Sequence, residues 1–319
     1  MSSNPHLPVL DEAPSASPQR LDLKVGFACN NRCVFCVQGD KRDQIPPRST
    51  AECRALLEEH RATSSGVVFT GGEASIRKDI VDIVAHAHGI GYEVIQLQTN
   101  GRRMAYVPFV EALVAAGLTE VSPALHGSTA AMHDALTRAP GAWAQCVRGI
   151  QNARRHGIPV ITNTVVVQRN VTDLPALAEL FVRLDVQQVQ FAYVHPSGTA
   201  GELFDEVVPR FTDAMPHVRR ALDIVSRAGI RGYAEAIPFC FMQGYEDFVV
   251  ERHIPRTCVV DAPMVIADYT AYRWTEGKAK GPPCAQCSHV QVCEGPWHEY
   301  PNKYGWSEFV PRTDPPAPA

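Results

Sequence analysis

Short apolar runs alternate with longer amphipathic stretches through the first two thirds of the chain, and the two periods predict two kinds of element. The runs Leu21–Ala28, Gly66–Thr70, Glu93–Thr99, Glu120–Leu125, Pro159–Val167 and Gln187–His195 are short, and most are rich in Val, Ile or Phe. That composition predicts strands. Between them, Ala51–Thr63, Ile80–His88, Met104–Ala116, Ala142–His156 and Asp173–Leu184 carry apolar residues at helical spacing, with Gly117 and Gly157 standing where two of these helices should stop. A further helix over Thr212–Ala228 completes a sixth strand–helix unit. Such alternation predicts an α/β fold with a parallel sheet and right-handed crossovers. Six units are too few to close an eight-stranded barrel. From Tyr233 onward Pro, Gly, Cys and aromatic residues dominate and the periodicity fades. This divides the chain into a barrel-like domain over 21–230 and a small, irregular, cysteine-rich C-terminal domain over 231–312. The Pro- and Ser-rich residues 1–20, and residues 313–319, read as flexible tails.

Bulk properties narrow the function classes. The chain has 319 residues, room for one large domain and a smaller one, and a net charge of −4 without a basic stripe that would point to nucleic acid. No apolar stretch reaches the ~18–20 residues of a membrane span, and no signal-peptide core opens the chain. The expectation is a reducing cytoplasm, where ten cysteines argue for metal or redox chemistry over disulfides. Eight of the ten fall within residues 29–36 and 240–293, so the chemistry is concentrated in two places.

The first group, Cys29, Cys33 and Cys36, has the spacing C-x3-C-x2-C. Three thiolates held this close can take three irons of a cubane cluster and leave the fourth open to a substrate or cofactor. Zinc ligation, or a disulfide with a spare thiol, is the bland alternative. Zinc sites pair their ligands with a second knuckle downstream, and no His or Cys follows Cys36 until Cys53, inside a helical pattern. Cys53 and Cys146, both in helical patterns, read as buried small hydrophobes. A second element follows: Gly71-Gly72-Glu73, directly after the strand-like run Gly66–Thr70. Two glycines permit close backbone approach to a ligand, and a carboxylate can bond an ammonium group.

Together, the cysteine triplet with Phe35 before its last member and the Gly71-Gly72-Glu73 segment resemble the signature of the radical S-adenosylmethionine (radical SAM) superfamily. The resemblance implies an open (β/α)6 partial TIM-like barrel. It implies a [4Fe–4S] cluster on Cys29, Cys33 and Cys36 that binds SAM. Gly71, Gly72 and Glu73 would then hold the methionine amino group, Thr99 and Ser122 its carboxylate and the ribose, and Phe35 would lie against the adenine. Asn163 is a candidate ribose or substrate contact, and His126 and Tyr193 are candidate catalytic residues. By chemistry alone Thr99-Asn100-Gly101 is also a turn, His126 a satisfied core imidazole, and Tyr193 and His195 simple linings of the barrel mouth.

The second group, Cys284, Cys287 and Cys293, has the spacing C-x2-C-x5-C and resembles the central motif of the SPASM extension. The position of that motif's next cysteine holds Trp297. The resemblance, closer to the shortened Twitch form, implies one auxiliary [4Fe–4S] cluster on Cys240, Cys284, Cys287 and Cys293, with Cys258 as the alternative to Cys240. A zinc knuckle using Cys240 or His289 is the competing reading.

The function this implies is reductive cleavage of SAM to a 5′-deoxyadenosyl radical that takes hydrogen from a substrate. Oxidation or crosslinking of a ribosomally made peptide leads. Oxidation or cyclisation of a small molecule, a sugar or cofactor precursor, is the alternative, and a non-catalytic iron–sulfur protein the outside one. The expected partners are a flavodoxin- or ferredoxin-type electron donor, the peptide or small-molecule substrate, and a separate leader-peptide-binding protein, since residues 1–20 are too short to fold as one.

Overall fold

The computed structural model describes residues 20–39, 41–262 and 264–315. The tail expected over 1–20, Arg20 apart, lies outside these residues, as do residues 316–319 of the second. The strands are β1 (Arg20–Lys24), β2 (Gly66–Thr70), β3 (Val94–Thr99), β4 (Glu120–Pro123), β5 (Ile161–Val166), β6 (Gln188–Tyr193), β7 (Arg231–Glu235), β8 (Thr257–Val260) and β9 (Val265–Ile266). The principal helices are α1 (Thr50–His60), α2 (Ile80–Gly89), α3 (Val107–Ala115), α4 (Ala130–Thr137), α5 (Ala142–Arg155), α6 (Leu174–Arg183), α7 (Phe211–Arg227) and α8 (Glu299–Tyr304).

One sheet has the order β4-β3-β2-β1-β8-β9 and the other β5-β6-β7. All pairs are parallel except β8 with β9. The sheets meet at β4 and β5, where the Val121 amide donates to Pro159 (3.0 Å) and the Leu125 amide to Asn163 (3.2 Å). The result is the expected α/β partial barrel. Alternation sorts its faces. Leu21, Leu23, Phe69, Ile95, Leu97, Val189 and Phe191 are fully buried on the helix side, each stabilising the fold by ~1.5–3 kcal/mol. The opposite face carries Asp22, Gln96 and Glu120 in one register row, and Asn163 beside Gln190 in another.

Several elements differ from the expectation. β1 ends at Lys24, because the backbone of 25–28 turns to receive the end of β2. Helix α3 begins at Val107, since Pro108 fits only a first turn. Helix α4 is short and was not expected, although Thr129 caps it, its hydroxyl accepting from the Met132 amide. Residues 231–260, assigned from the sequence to the C-terminal domain, instead continue the sheets. β7 pairs with β6, and β8 returns to β1. The β7 sequence, Arg-Gly-Tyr-Ala-Glu, has no aliphatic run to announce it.

The C-terminal segment docks beside β7 through buried charges. The Arg273 guanidinium donates twice to Glu294 (2.8 and 3.0 Å). The Lys278 ammonium lies 2.8 Å from both Glu294 and Glu251, and Glu251 also accepts from the Ala236 amide just past β7 (2.7 Å). Farther along, Phe211 packs against Tyr300 and Phe241 at 4.6 and 4.8 Å, fixing α8 against α7.

Candidate functional site

The cysteine triplet occupies the loop after β1, and the end of β2 holds that loop in place. The Gly72 amide donates to Gly26 and the Glu73 amide to Ala28, each at 2.9 Å. A Cβ on Gly71 would stand 2.1 Å from the Gly26 oxygen, and one on Gly72 would stand 2.2 Å from the Phe27 oxygen. The close approach these glycines permit is therefore to the chain's own backbone, at Gly26, Phe27 and Ala28 just before Cys29. The Glu73 carboxylate, buried, accepts from the Thr99 hydroxyl, the Asn100 amide and the Ser75 amide. Burial raises its pKa against these bonds. Glu73 thus ties the ends of β2 and β3 together and brings Thr99 to the same cluster.

Cys29, Cys33 and Cys36 are free thiols, each partly exposed. The Asn31 amide points at the Cys29 sulfur (3.4 Å) and an Arg42 N–H at the Cys36 sulfur (3.5 Å). Burial pushes the Cys33 thiol up to about 12, and the nearby charges of Cys36 and Cys29 add to the shift. Three gathered thiols, two with N–H donors aimed at sulfur, suit thiolate ligation of iron. Arg42 also donates to the Asn31 carbonyl (2.8 Å), a bracing role that spacing alone gave no reason to assign.

The remaining predicted contacts divide by face. Ser122 pairs in register with Gln98 on the barrel-interior face. Asn163 lies on the same interior side, and its buried Oδ1 has no partner, an open acceptor that fits a polar ligand inside the barrel. Phe35 is buried with its ring edge-on to His126, centroids 4.7 Å apart. His126 uses Nδ1 to accept the Val165 amide (3.2 Å), and its own amide donates to His133 (3.1 Å). Burial, with His133 adding, holds its pKa well below 6.5. His126 is therefore a neutral imidazole fixed beneath Phe35. Asn170 completes the brace, donating to the His126 and Val165 carbonyls.

Tyr193, expected as a candidate catalytic residue or else a lining of the barrel mouth, points away from the barrel interior. Alternation turns it to the helix side of β6, its ring stacked on Phe211 at 4.2 Å and its hydroxyl donated to the Pro209 carbonyl. His195, two residues on, does reach the C-terminal segment. It stacks on Trp297 at 3.9 Å and meets Glu299 at 3.3 Å. Cys53 and Cys146 are fully buried.

The second cysteine group is assembled from two stretches of chain. Burial pushes the Cys240 thiol up to about 12, reinforced by Cys293, Cys287 and Cys284, which lie around it. Cys258 faces away. It is buried in β8 opposite Leu21, with Glu59 and Asp22 as its charged neighbours. Among the described residues no three His, Cys, Asp or Glu side chains converge as tightly as ligands of a single ion. Cysteines that each take a different iron of a cubane stand farther apart than that. Burial raises the Cys293 thiol, and Lys278 opposes the shift.

The parallel partial barrel thus gathers three thiols in the loop after its first strand, at the carboxyl ends of the strands where barrels of this kind place their sites. Residues 23–181 match the radical SAM superfamily, so this stretch is a radical SAM domain. Members carry a [4Fe–4S] cluster and bind SAM. Among curated relatives, the AdoMet-dependent heme synthase of Methanosarcina barkeri is 28% identical over 204 residues, 63% of this chain and 57% of that protein. The mycofactocin maturase MftC of Mycobacterium ulcerans is 31% identical over 198 residues, 60% of this chain and 52% of that protein. The chain thus matches little more than half the length of these relatives. Among solved structures, Streptococcus suis SuiB bound to its precursor peptide SuiA superposes with a TM-score of 0.68 at 12% identity, covering 94% of this chain and 76% of that one. At that identity the likeness speaks for the fold. No helix among the described residues is long and apolar enough to cross a membrane.

Proposed function

We propose that this enzyme modifies a peptide, by oxidation or crosslinking, with Cys29, Cys33 and Cys36 as its SAM-cluster ligands. When bound, the cluster and SAM supply a 5′-deoxyadenosyl radical that removes a hydrogen atom from the substrate. The observation that carries the reading is the Glu73 bracket. One buried carboxylate joins Thr99, Asn100 and the Gly71–Gly72 turn, and that turn's amides set the cysteine loop. In this reading the chain positions and shields and does not perform acid–base work. Phe35 covers the adenine, His126 and Asn170 fix Phe35, and Ser122 and Asn163 offer polar contacts from the interior face. Cys240, Cys284, Cys287 and Cys293 hold an auxiliary cluster in a Twitch-like segment that Lys278 and Arg273 anchor through Glu294.

The similarity to a mycofactocin maturase supports the peptide class. The similarity to AdoMet-dependent heme synthases supports the second reading, oxidation of a small cofactor precursor. A flavodoxin- or ferredoxin-type protein supplies the electron in both. The test is anaerobic incubation of iron-reconstituted protein with SAM and dithionite. Formation of 5′-deoxyadenosine is expected, and its absence overturns the enzyme reading. Turnover raised by a short peptide encoded beside this gene, and not by an iron porphyrin precursor, selects the peptide. The reverse selects the small molecule.

A further inference from the structure

A cationic cleft lies beside the cysteine loop, on the outer side of the Glu73 bracket. It is about 350 Å³ in volume and is lined by Asn30, Ile76, Lys78, Arg102, Arg103 and Gln145. Three of its six lining residues are cations and none is a carboxylate, in a chain whose net charge is −4. The two arginines are held by neutral groups only. Arg102 donates to the Gln145 side chain (2.6 Å), the Asn30 carbonyl and the Asn31 side chain (3.0 Å). Arg103 donates to the Ser75 and Arg77 carbonyls and lies 4.1 Å over the Phe109 ring. Their charges are thus fixed in place without being neutralised, and Lys78 is exposed at the rim.

The cleft is also wired to the first cysteine. Arg102 bonds Asn31, and the Asn31 amide bonds the Cys29 sulfur at 3.4 Å. Asn30, which lines the cleft, is the residue next to Cys29 and is anchored by Asn100 (2.6 Å). We infer that this cleft is the docking surface for an acidic one-electron carrier protein of the flavodoxin or ferredoxin type, and that the electron reaches the centre from the Cys29 side. Charge complementarity selects such a partner and speeds its encounter. The contact is short because Asn30 belongs to both the cleft and the cysteine loop. In the step itself the carrier loses one electron and the iron–sulfur centre gains it. No proton moves and no covalent bond forms or breaks.

The inference rests on the radical SAM reading, but its test does not need turnover. Biolayer interferometry of the purified chain against an acidic flavodoxin measures docking directly. We expect binding that weakens steeply as salt rises from about 50 to about 200 mM. Lys78→Glu should raise Kd roughly five- to tenfold at low salt, mainly through a slower association rate, and Lys78→Arg should restore it. Lys303→Glu, far along the chain where Lys303 meets Asp205 at the surface, should leave Kd unchanged. Absent binding, or equal binding by wild type and Lys78→Glu, overturns the inference. Failure of the underlying reading shows separately, as absence of 5′-deoxyadenosine with dithionite, which needs no docking protein.

Discussion

Removing the Glu294 carboxylate should destabilise the protein more than any other single truncation at the C-terminal junction. Glu294 faces two buried cations and accepts three bonds from them, at 2.8, 3.0 and 2.8 Å. Its side chain is only 5% exposed, so water cannot replace what it supplies. Burial draws the carboxyl upward, but Arg273 and Lys278 outweigh burial and hold its pKa below the usual range. In Glu294→Ala the Arg273 and Lys278 charges remain buried with Glu251 as their nearest counter-charge. Breaking a buried pair in this way costs about 3–5 kcal/mol. For a chain of this size that is a fall in Tm of roughly 4–8 °C, read by circular dichroism in reducing buffer. Glu294→Gln, which keeps shape and part of the bonding, should fall between. The pH dependence has a definite sign. A carboxylate with a depressed folded pKa contributes stability above its unfolded pKa, near 4.5, and loses it as pH drops through the folded value. The difference between wild type and Glu294→Ala should therefore be full at pH 7 and shrink below about pH 4. A Tm shift under ~2 °C at pH 7 would refute the assignment of this cluster as the anchor of the segment.

Three further outcomes follow from the geometry. Cys240→Ala should lower the iron content of reconstituted protein by about four per chain, while Cys258→Ala should leave it unchanged, as measured by iron quantitation. Burial lowers the His133 pKa to about 4, and His126 is also depressed. The unfolded chain then binds more protons between those values and 6.5, so stability falls with falling pH. At pH 5 His133 alone should cost about 2 kcal/mol, seen as a lower urea midpoint than at pH 7.5; His133→Phe should shrink that difference by His133's share and leave the part carried by His126. Glu73→Gln sets an amide N–H against donors that now meet a carboxylate oxygen. It should weaken SAM binding about tenfold by equilibrium dialysis and cost ~1–3 kcal/mol in stability, whereas unchanged affinity would separate the bracket from the cofactor site.

Much of the site was legible in the sequence because its chemistry is local. The spacing of Cys29, Cys33 and Cys36 lies within one loop, and Gly71-Gly72-Glu73 ends one strand, so neighbouring residues carry the message. The braces were not legible. Arg42 to Asn31, Asn170 to His126 and Lys278 to Glu251 join residues on different elements, and no periodicity marks which of many polar side chains will meet. Tyr193 shows a different limit. It lies in a correctly expected strand, but period two sends it to the face opposite Gln190, and the contact with Phe211 settles which face is which. Residues 231–260 escaped because β7 and β8 are short and lack a long aliphatic signal. Their strand character comes from the partners β6 and β1, a tertiary effect that local composition does not encode.

The pairing of β1 with β8 has a consequence for how the chain is made. Arg20 bonds Thr257 across 237 positions of sequence. On the ribosome, β1 can find β2 early, but its other edge stays bare until Thr257–Val260 has been synthesised. A bare parallel edge is a template for wrong partners, and closing it late is a long-range, slow event. The cysteine loop begins only a few residues beyond that edge. Iron loaded during synthesis would therefore meet a loop anchored on one side, and the order of strand closure and metal insertion becomes a problem for the cell's folding and iron-delivery machinery rather than for the finished protein.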